Sequence, residues 1–194
     1  MRVIAGRWRT RTIRSPRGTD TRPTTDRVRE AMFSILGDLT GLRVADLCAG
    51  SGALGIEALS RGASSVCFVD TSTAALACIR SNLEALGIGN GVTVVRSTVA
   101  RSRARLLDAG PYDLVLCDPP WQRLDAVLGA LGSVLRPPLL RSRARVVIEH
   151  PARRDVGLEP KSAFLLEDQR AWGDTGASFF RHSGAADDNP AGAV

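Results

Sequence analysis

From Gly41 to Glu149 the chain repeats one pattern: a short apolar run, a turn, then a segment with apolar residues at helical spacing. The apolar runs are RVADL (43–47), SVCFV (65–69), VTVV (92–95), YDLVLC (112–117) and ARVVIE (144–149). Strands with almost no polar face must be covered on both sides, as in a parallel sheet between two helical layers. The spacing predicts helices over 53–60, from Ser72 or Thr73 to Leu86, over 99–107 and over 124–135. An open α/β sandwich follows.

The rhythm changes at both ends. Two strands, 163–172 and 177–182, flank Gly173-Asp174-Thr175-Gly176, a turn composition that favours an antiparallel pair. At the start, strands over 1–5 and 7–13 are expected around Gly6, then turn residues, then a helix capped by Thr25 and stopped at Gly37. The organisation expected is a basic extension over 1–20, one domain over 21–183, and a frayed tail over 184–194. A chain of 194 residues suffices for one such core.

Charge is concentrated. Residues 1–30 hold nine arginines against Asp20, Asp26 and Glu30, and so carry the whole net charge of +6. A basic patch of this kind is the footprint of a phosphate-backbone contact, with Arg2, Arg7, Arg9, Arg11, Arg14, Arg17 and Arg22 as candidate RNA-binding residues. Arginine interrupts every apolar run of the N-terminus, which leaves no secretory core, and no run is long enough to span a bilayer, so a cytoplasmic protein without a membrane partner is expected. Cys48, Cys67, Cys78 and Cys117 match no zinc or redox spacing and read as small buried hydrophobes, with no metal expected.

Two stretches carry chemistry. Asp46-Leu-Cys-Ala49-Gly50-Ser51-Gly52-Ala-Leu-Gly55 joins a strand to a helix, where glycines allow a tight turn and expose backbone N–H groups. Asp70, ending the next strand, is placed to hold a ribose. These residues suit a dinucleotide or S-adenosylmethionine equally. Asp118-Pro119-Pro120-Trp121 separates the two. The prolines fix an extended backbone, so a carboxylate, a rigid carbonyl and an indole can grip a planar group bearing an NH₂. Such a clamp offsets charge developing on an amine as it attacks a sulfonium methyl; hydride transfer needs nothing of the kind.

DLCAGSGALGIEALSRGA (46–63), Asp70 and DPPW (118–121) together resemble the class I, Rossmann-like S-adenosylmethionine-dependent methyltransferases that act on amino nitrogens. With VIAGRWRTR (3–11), RPTTDRVREAMFSIL (22–36) and WGDTGASFFR (172–181), the chain resembles, over 1–182, the bacterial 16S rRNA guanine-N2 methyltransferases, the RsmD family. The resemblance implies a seven-stranded, mostly parallel sheet of order 3-2-1-4-5-7-6 with an N-terminal β-hairpin that helps grip RNA. It implies S-adenosyl-L-methionine as cofactor, with Asp46, Ala49, Gly50, Ser51 and Gly52 around its methionyl part, Asp70 on its ribose and Thr98 near its adenine. It implies Asp118, Pro119, Pro120 and Trp121 as catalytic residues, the aromatic being more usually Phe or Tyr in the family. The implied product is N2-methylguanine at guanine 966 of 16S rRNA, made by a monomer on the assembled or assembling small subunit. DPP-aromatic also occurs in adenine-N6 enzymes, so an amino-methyltransferase on other DNA or RNA stays open. An NAD-dependent oxidoreductase and a non-catalytic RNA-binding protein are the alternatives from other classes. Glu149-His150-Pro151 also resembles the family, with His150 a weak candidate for a general base.

Overall fold

The protein is described by a computed structural model that covers residues 1–16 and 25–184. Arg17, Arg22, most of the expected turn after the arm, and the tail beyond Gly184 lie outside the described residues. Helix α1 (Asp26–Leu36) begins where Thr25 Oγ1 accepts from the Val28 N–H and ends at Gly37, whose φ is 70°.

The alternation then runs β1 (Arg43–Leu47), α2 (Ala53–Ser60), β2 (Ser65–Asp70), α3 (Thr73–Ala85), β3 (Val92–Arg96), α4 (Arg103–Ala109), β4 (Tyr112–Cys117), α5 (Leu124–Val134), β5 (Leu140–Pro151), β6 (Phe164–Trp172) and β7 (Thr175–His182). The strands form one sheet in the order β3-β2-β1-β4-β5-β7-β6. β1 to β5 run parallel to one another, and β7 is antiparallel to both β5 and β6. This is the Rossmann-like class I methyltransferase order expected from the sequence.

Alternation along each strand sorts the side chains into two cores. Val44, Phe68, Leu114 and Leu116 pack with Phe33 of α1, Ile56 of α2 and Ile79 of α3. Ala45, Leu47, Val115 and Cys117 pack with Leu106 of α4 and Leu131 of α5 on the other face. Among the described residues no helix is long and apolar enough to cross a membrane.

Several expectations need correction. The helix expected over 99–107 is a 3-10 turn (Val99–Arg101) followed by α4. Strand β5 starts at Leu140, four residues early, because exposed Arg141, Ser142 and Arg143 broke the apolar run. Two of the four cysteines, Cys48 and Cys78, are only half-buried.

The two strands expected over 1–5 and 7–13 shorten to a brief antiparallel pairing, with one bridge between Arg2 and Thr12 and N–H bonds from Val3 to the Arg11 carbonyl at 2.9 Å and from Ile13 to the Met1 carbonyl at 3.0 Å. The reason lies in the hydrogen bonds. The Ile4 and Ala5 N–H groups donate to the Glu57 carboxylate at 2.8 and 3.1 Å, and those of Arg7 and Trp8 to the Ser60 carbonyl and hydroxyl at 2.8 and 3.0 Å. These four groups, which would have lengthened the ladder, dock the arm on α2 instead. Val3 and Ile13 are buried in the core beside α1, so the arm is part of the domain's packing.

Candidate active site

The strand order reverses between β1 and β4, and ligands of such sheets bind beyond the carboxyl ends of the strands at that switch point. A cleft of about 710 Å³ lies there, a volume in the range of ligand sites. The loop after β1, the end of β2, the residues after β3, and the Asp118–Arg123 segment after β4 all line it.

The glycine loop takes its shape from backbone conformations that β-carbons oppose. Gly50 and Gly52 have φ of 55° and 79°. Gly50 lines the cleft with Ala49 and Ser51, whereas Gly52 does not. A β-carbon on Gly52 would lie 3.1 Å from Ile79, and one on Gly55 only 2.3 Å from the Phe68 ring, so the third glycine lets α2 close on β2.

The loop is held by two carboxylates. Asp70 accepts from the Gly50 N–H through Oδ2 and from the Ser72 N–H through Oδ1, both at 2.8 Å. Each oxygen keeps a further lone pair, enough to accept a ribose hydroxyl. Asp46 is 1% exposed, and its Oδ2 accepts from the Gly55 N–H at 2.9 Å. Its Oδ1 has no partner, although the residue lines the cleft. Burial pushes the Asp46 carboxyl well above the usual carboxylate range, against the Gly55 hydrogen bond, and the nearby Asp118 and Asp70 add to the shift.

These features fit S-adenosylmethionine. The buried orphan oxygen of Asp46 calls for a donor such as an ammonium. Ala53 and Leu54, the first residues of α2, line the cleft, so a helix N-terminus is available to a carboxylate. Asp70 suits the ribose, and exposed Thr98 lies on the β3 side of the cleft.

Across the switch point stands the DPPW segment. The Asp118 N–H donates to the Leu47 carbonyl at 3.3 Å, which sets the segment beside the end of β1. Pro119 is buried, Pro120 is extended (φ −53°, ψ 129°), and a 3-10 turn over Trp121–Arg123 follows. Trp121 is 38% exposed, lines the cleft and belongs to neither core. The structure thus brings Asp118, Pro119, Pro120 and Trp121 to the cavity that Gly50 and Asp70 line.

His150 is elsewhere. It is fully buried, with Nδ1 2.9 Å from the Pro151 carbonyl and Nε2 2.8 Å from Ser178 Oγ. The carbonyl can only accept, so Nδ1 carries the proton and Nε2 accepts from the serine. Burial lowers its pKa, which keeps the ring neutral.

The arm's described candidates, Arg2, Arg7, Arg9, Arg11 and Arg14, are all exposed. Arg2 pairs with Asp26 at 3.3 Å, Arg7 stacks on Trp8 at 5.1 Å and Arg11 donates to the Ala85 carbonyl at 3.0 Å. Sequence reasoning missed that the arm also forms a wall of the cleft, through Met1, Ser15 and Pro16. It missed Asn82, whose amide donates to the carbonyls of both Arg14 and Ser51, at 3.0 and 2.9 Å, and so bridges arm and glycine loop. It also left Glu149 without a chemical role, although its place at the end of an apolar strand was visible.

Comparison with known proteins agrees with this geometry. The family described as conserved hypothetical protein 95 matches residues 1–181. YlbH of Bacillus subtilis is 35% identical over 190 residues, which cover 95% of this chain and 100% of that protein. Ribosomal RNA small subunit methyltransferase D of Escherichia coli is 39% identical over 124 residues, 63% of this chain and 61% of that protein. The solved structure of yhhF from Escherichia coli superposes with a TM-score of 0.74 at 30% identity, covering 94% of this chain and 97% of that one. Sheet order, glycine loop and these relatives converge: the chain belongs to the conserved hypothetical protein 95 family and is a class I S-adenosylmethionine-dependent methyltransferase.

Proposed function

We propose that the chain methylates the N2 amine of a guanine, guanine 966, in the 16S rRNA of the small ribosomal subunit. The observation that carries this reading is the presence of Asp118, Pro119 and exposed Trp121 on the cleft that Gly50 and Asp70 also line.

Bound against Asp46, Gly50 and Asp70, S-adenosylmethionine supplies an electrophilic methyl group. The Asp118 carboxylate and the Pro119 carbonyl accept hydrogen bonds from the two amine N–H groups, which turns the nitrogen lone pair toward the cleft and offsets the charge that develops on it; as the methyl leaves sulfur for nitrogen, the cationic nitrogen releases one proton, through Asp118 to solvent. Trp121 offers a face to a base extruded from its stack. The arm's arginines grip the RNA backbone around it. The name of the Escherichia coli relative, a ribosomal RNA small subunit methyltransferase, supports RNA as the substrate class.

Transfer of a tritiated methyl group to small subunits that lack the modification, followed by mapping of the labelled base, tests the reading. Label on the N2 of one guanine is expected. Label on an adenine N6, or in the protein fraction alone, would replace it.

A further inference from the structure

Glu149 lies near the end of β5, on the wall of the same cleft, and is 4% exposed. Strands β4 and β5 are parallel and pair Cys117 with Ile148. Asp118 and Glu149 are therefore the next residues on two neighbouring chains, which run about 4.8 Å apart, and both line the cavity. The amine clamp thus has a second carboxylate beside it.

The backbone that carries Glu149 is fixed. It pairs with Ala177 of β7, and His150 anchors the following residue to Ser178 and to the Pro151 carbonyl. Packing there is tight, since a β-carbon on Gly176 would come within 2.7 Å of the His150 ring. A carboxylate has about four acceptor positions, so Glu149 can take a ligand donor in addition to a partner within the chain.

We propose that Glu149 accepts the N1–H of the target guanine and so sets the choice of guanine over adenine. The proposal rests on the guanine-N2 reading above. Guanine carries its N1–H donor directly beside the N2 amine, so a base whose amine is held at Asp118 turns that donor toward the neighbouring strand end. Adenine has acceptor nitrogens, N1 and N7, on both sides of its amine and no ring N–H there. Its lone pairs would face a buried carboxylate, an arrangement that costs as much as a lost charged hydrogen bond or more.

The test uses the RNA that the wild-type chain methylates, and the same RNA with the target guanine replaced by 2-aminopurine. That base keeps the 2-amine but has an acceptor at N1. Wild type should prefer guanine by on the order of 10²-fold in kcat/KM. Glu149→Gln, whose amide can accept from guanine or donate to 2-aminopurine, should bring the two within about tenfold. Glu149→Ala should lower the guanine rate with no gain on the analogue. Cofactor affinity, read by calorimetric titration, stays unchanged in both variants. Equal use of both RNAs by wild type, or an unaltered preference in folded Glu149→Gln, overturns the proposal while leaving guanine-N2 methylation standing. Absence of any label on guanine removes the functional reading and this inference together.

Discussion

The Gly50 N–H donates to Asp70 Oδ2 at 2.8 Å, which ties the loop after β1 to the end of β2. One carboxylate therefore shapes the loop and faces the cleft. Asp70→Ala should weaken S-adenosylmethionine binding by about 1.5 to 3 kcal/mol, tenfold or more. Asp70→Asn should fall short as well, since its NH₂ would meet a backbone N–H at either Gly50 or Ser72. Calorimetric titration of folded variants decides; unchanged affinity would remove Asp70 from the cofactor site.

Asp46 gives the cofactor-free protein a pH signature. Its folded pKa is raised by burial above the ordinary 3.8, so the folded state holds a proton that the unfolded chain releases. This contribution makes stability fall as pH rises from 3.8 toward the raised value. Asp46→Asn keeps an acceptor for Gly55 and abolishes the titration, so its Tm advantage over wild type should grow with pH while its affinity for the cofactor drops. Thermal melts from pH 4 to 8 measure this, and a Tm difference independent of pH would contradict it.

The clamp should separate into two kinetic roles. Asp118→Asn is nearly isosteric but uncharged, and should lower the single-turnover methylation rate at saturating RNA by roughly 10²-fold. Trp121→Ala should chiefly weaken RNA capture, by about 1 to 3 kcal/mol, whereas Trp121→Phe retains most activity. An Asp118→Asn variant that binds both substrates and reacts at the wild-type rate would exclude the mechanism.

The arm is best tested by charge. Deleting it would strip Val3 and Ile13 from the core and so disturb the domain's packing as well as remove the arginines. Arg7, Arg9 and Arg14 are exposed, and their replacement by serine should lower the salt dependence of RNA binding by about 0.7 to 0.9 for each phosphate they cease to neutralise. Cofactor affinity should hold. RNA affinity measured across a salt series gives the slope, and an unchanged slope places the RNA elsewhere.

Glu57, with no exposed surface, accepts from Ile4, Ala5 and Arg61, and lies 4.0 Å from buried Arg29. Glu57→Gln leaves one of these donors facing an NH₂ and should cost about 3 to 5 kcal/mol. Hydrogen exchange should show Ile4 and Ala5 losing protection before β4 and β5 do. Uniform loss across the molecule would mean that the arm does not open separately.

The sheet was legible because strands covered on both faces leave no polar alternation to misread, and RVADL and YDLVLC end where the structure ends them. The DPPW segment was legible as well, since consecutive prolines admit few backbone shapes. The arm was not. Its alternating residues suit a hairpin, and the N–H groups of Val3, Thr10 and Ile13 do bond across it, but those of Ile4, Ala5, Arg7 and Trp8 go to Glu57 and Ser60, some 50 residues away in sequence, and no local pattern records that. Glu149 is a similar case: only the register of β4 against β5 brings it to Asp118.

The arm is mounted by its main chain. Ile4, Ala5, Arg7 and Trp8 are held through their N–H groups, and Arg14 through its N–H and carbonyl on Asn82. Bonds of that kind do not depend on which side chain each position carries. Mutation can therefore rewrite the outward row of guanidinium groups while the row keeps its seat beside the glycine loop. A chain that retains the acceptors on α2 and α3 is free to change the charge and shape of the face the arm presents, with the glycine loop beneath left unaltered.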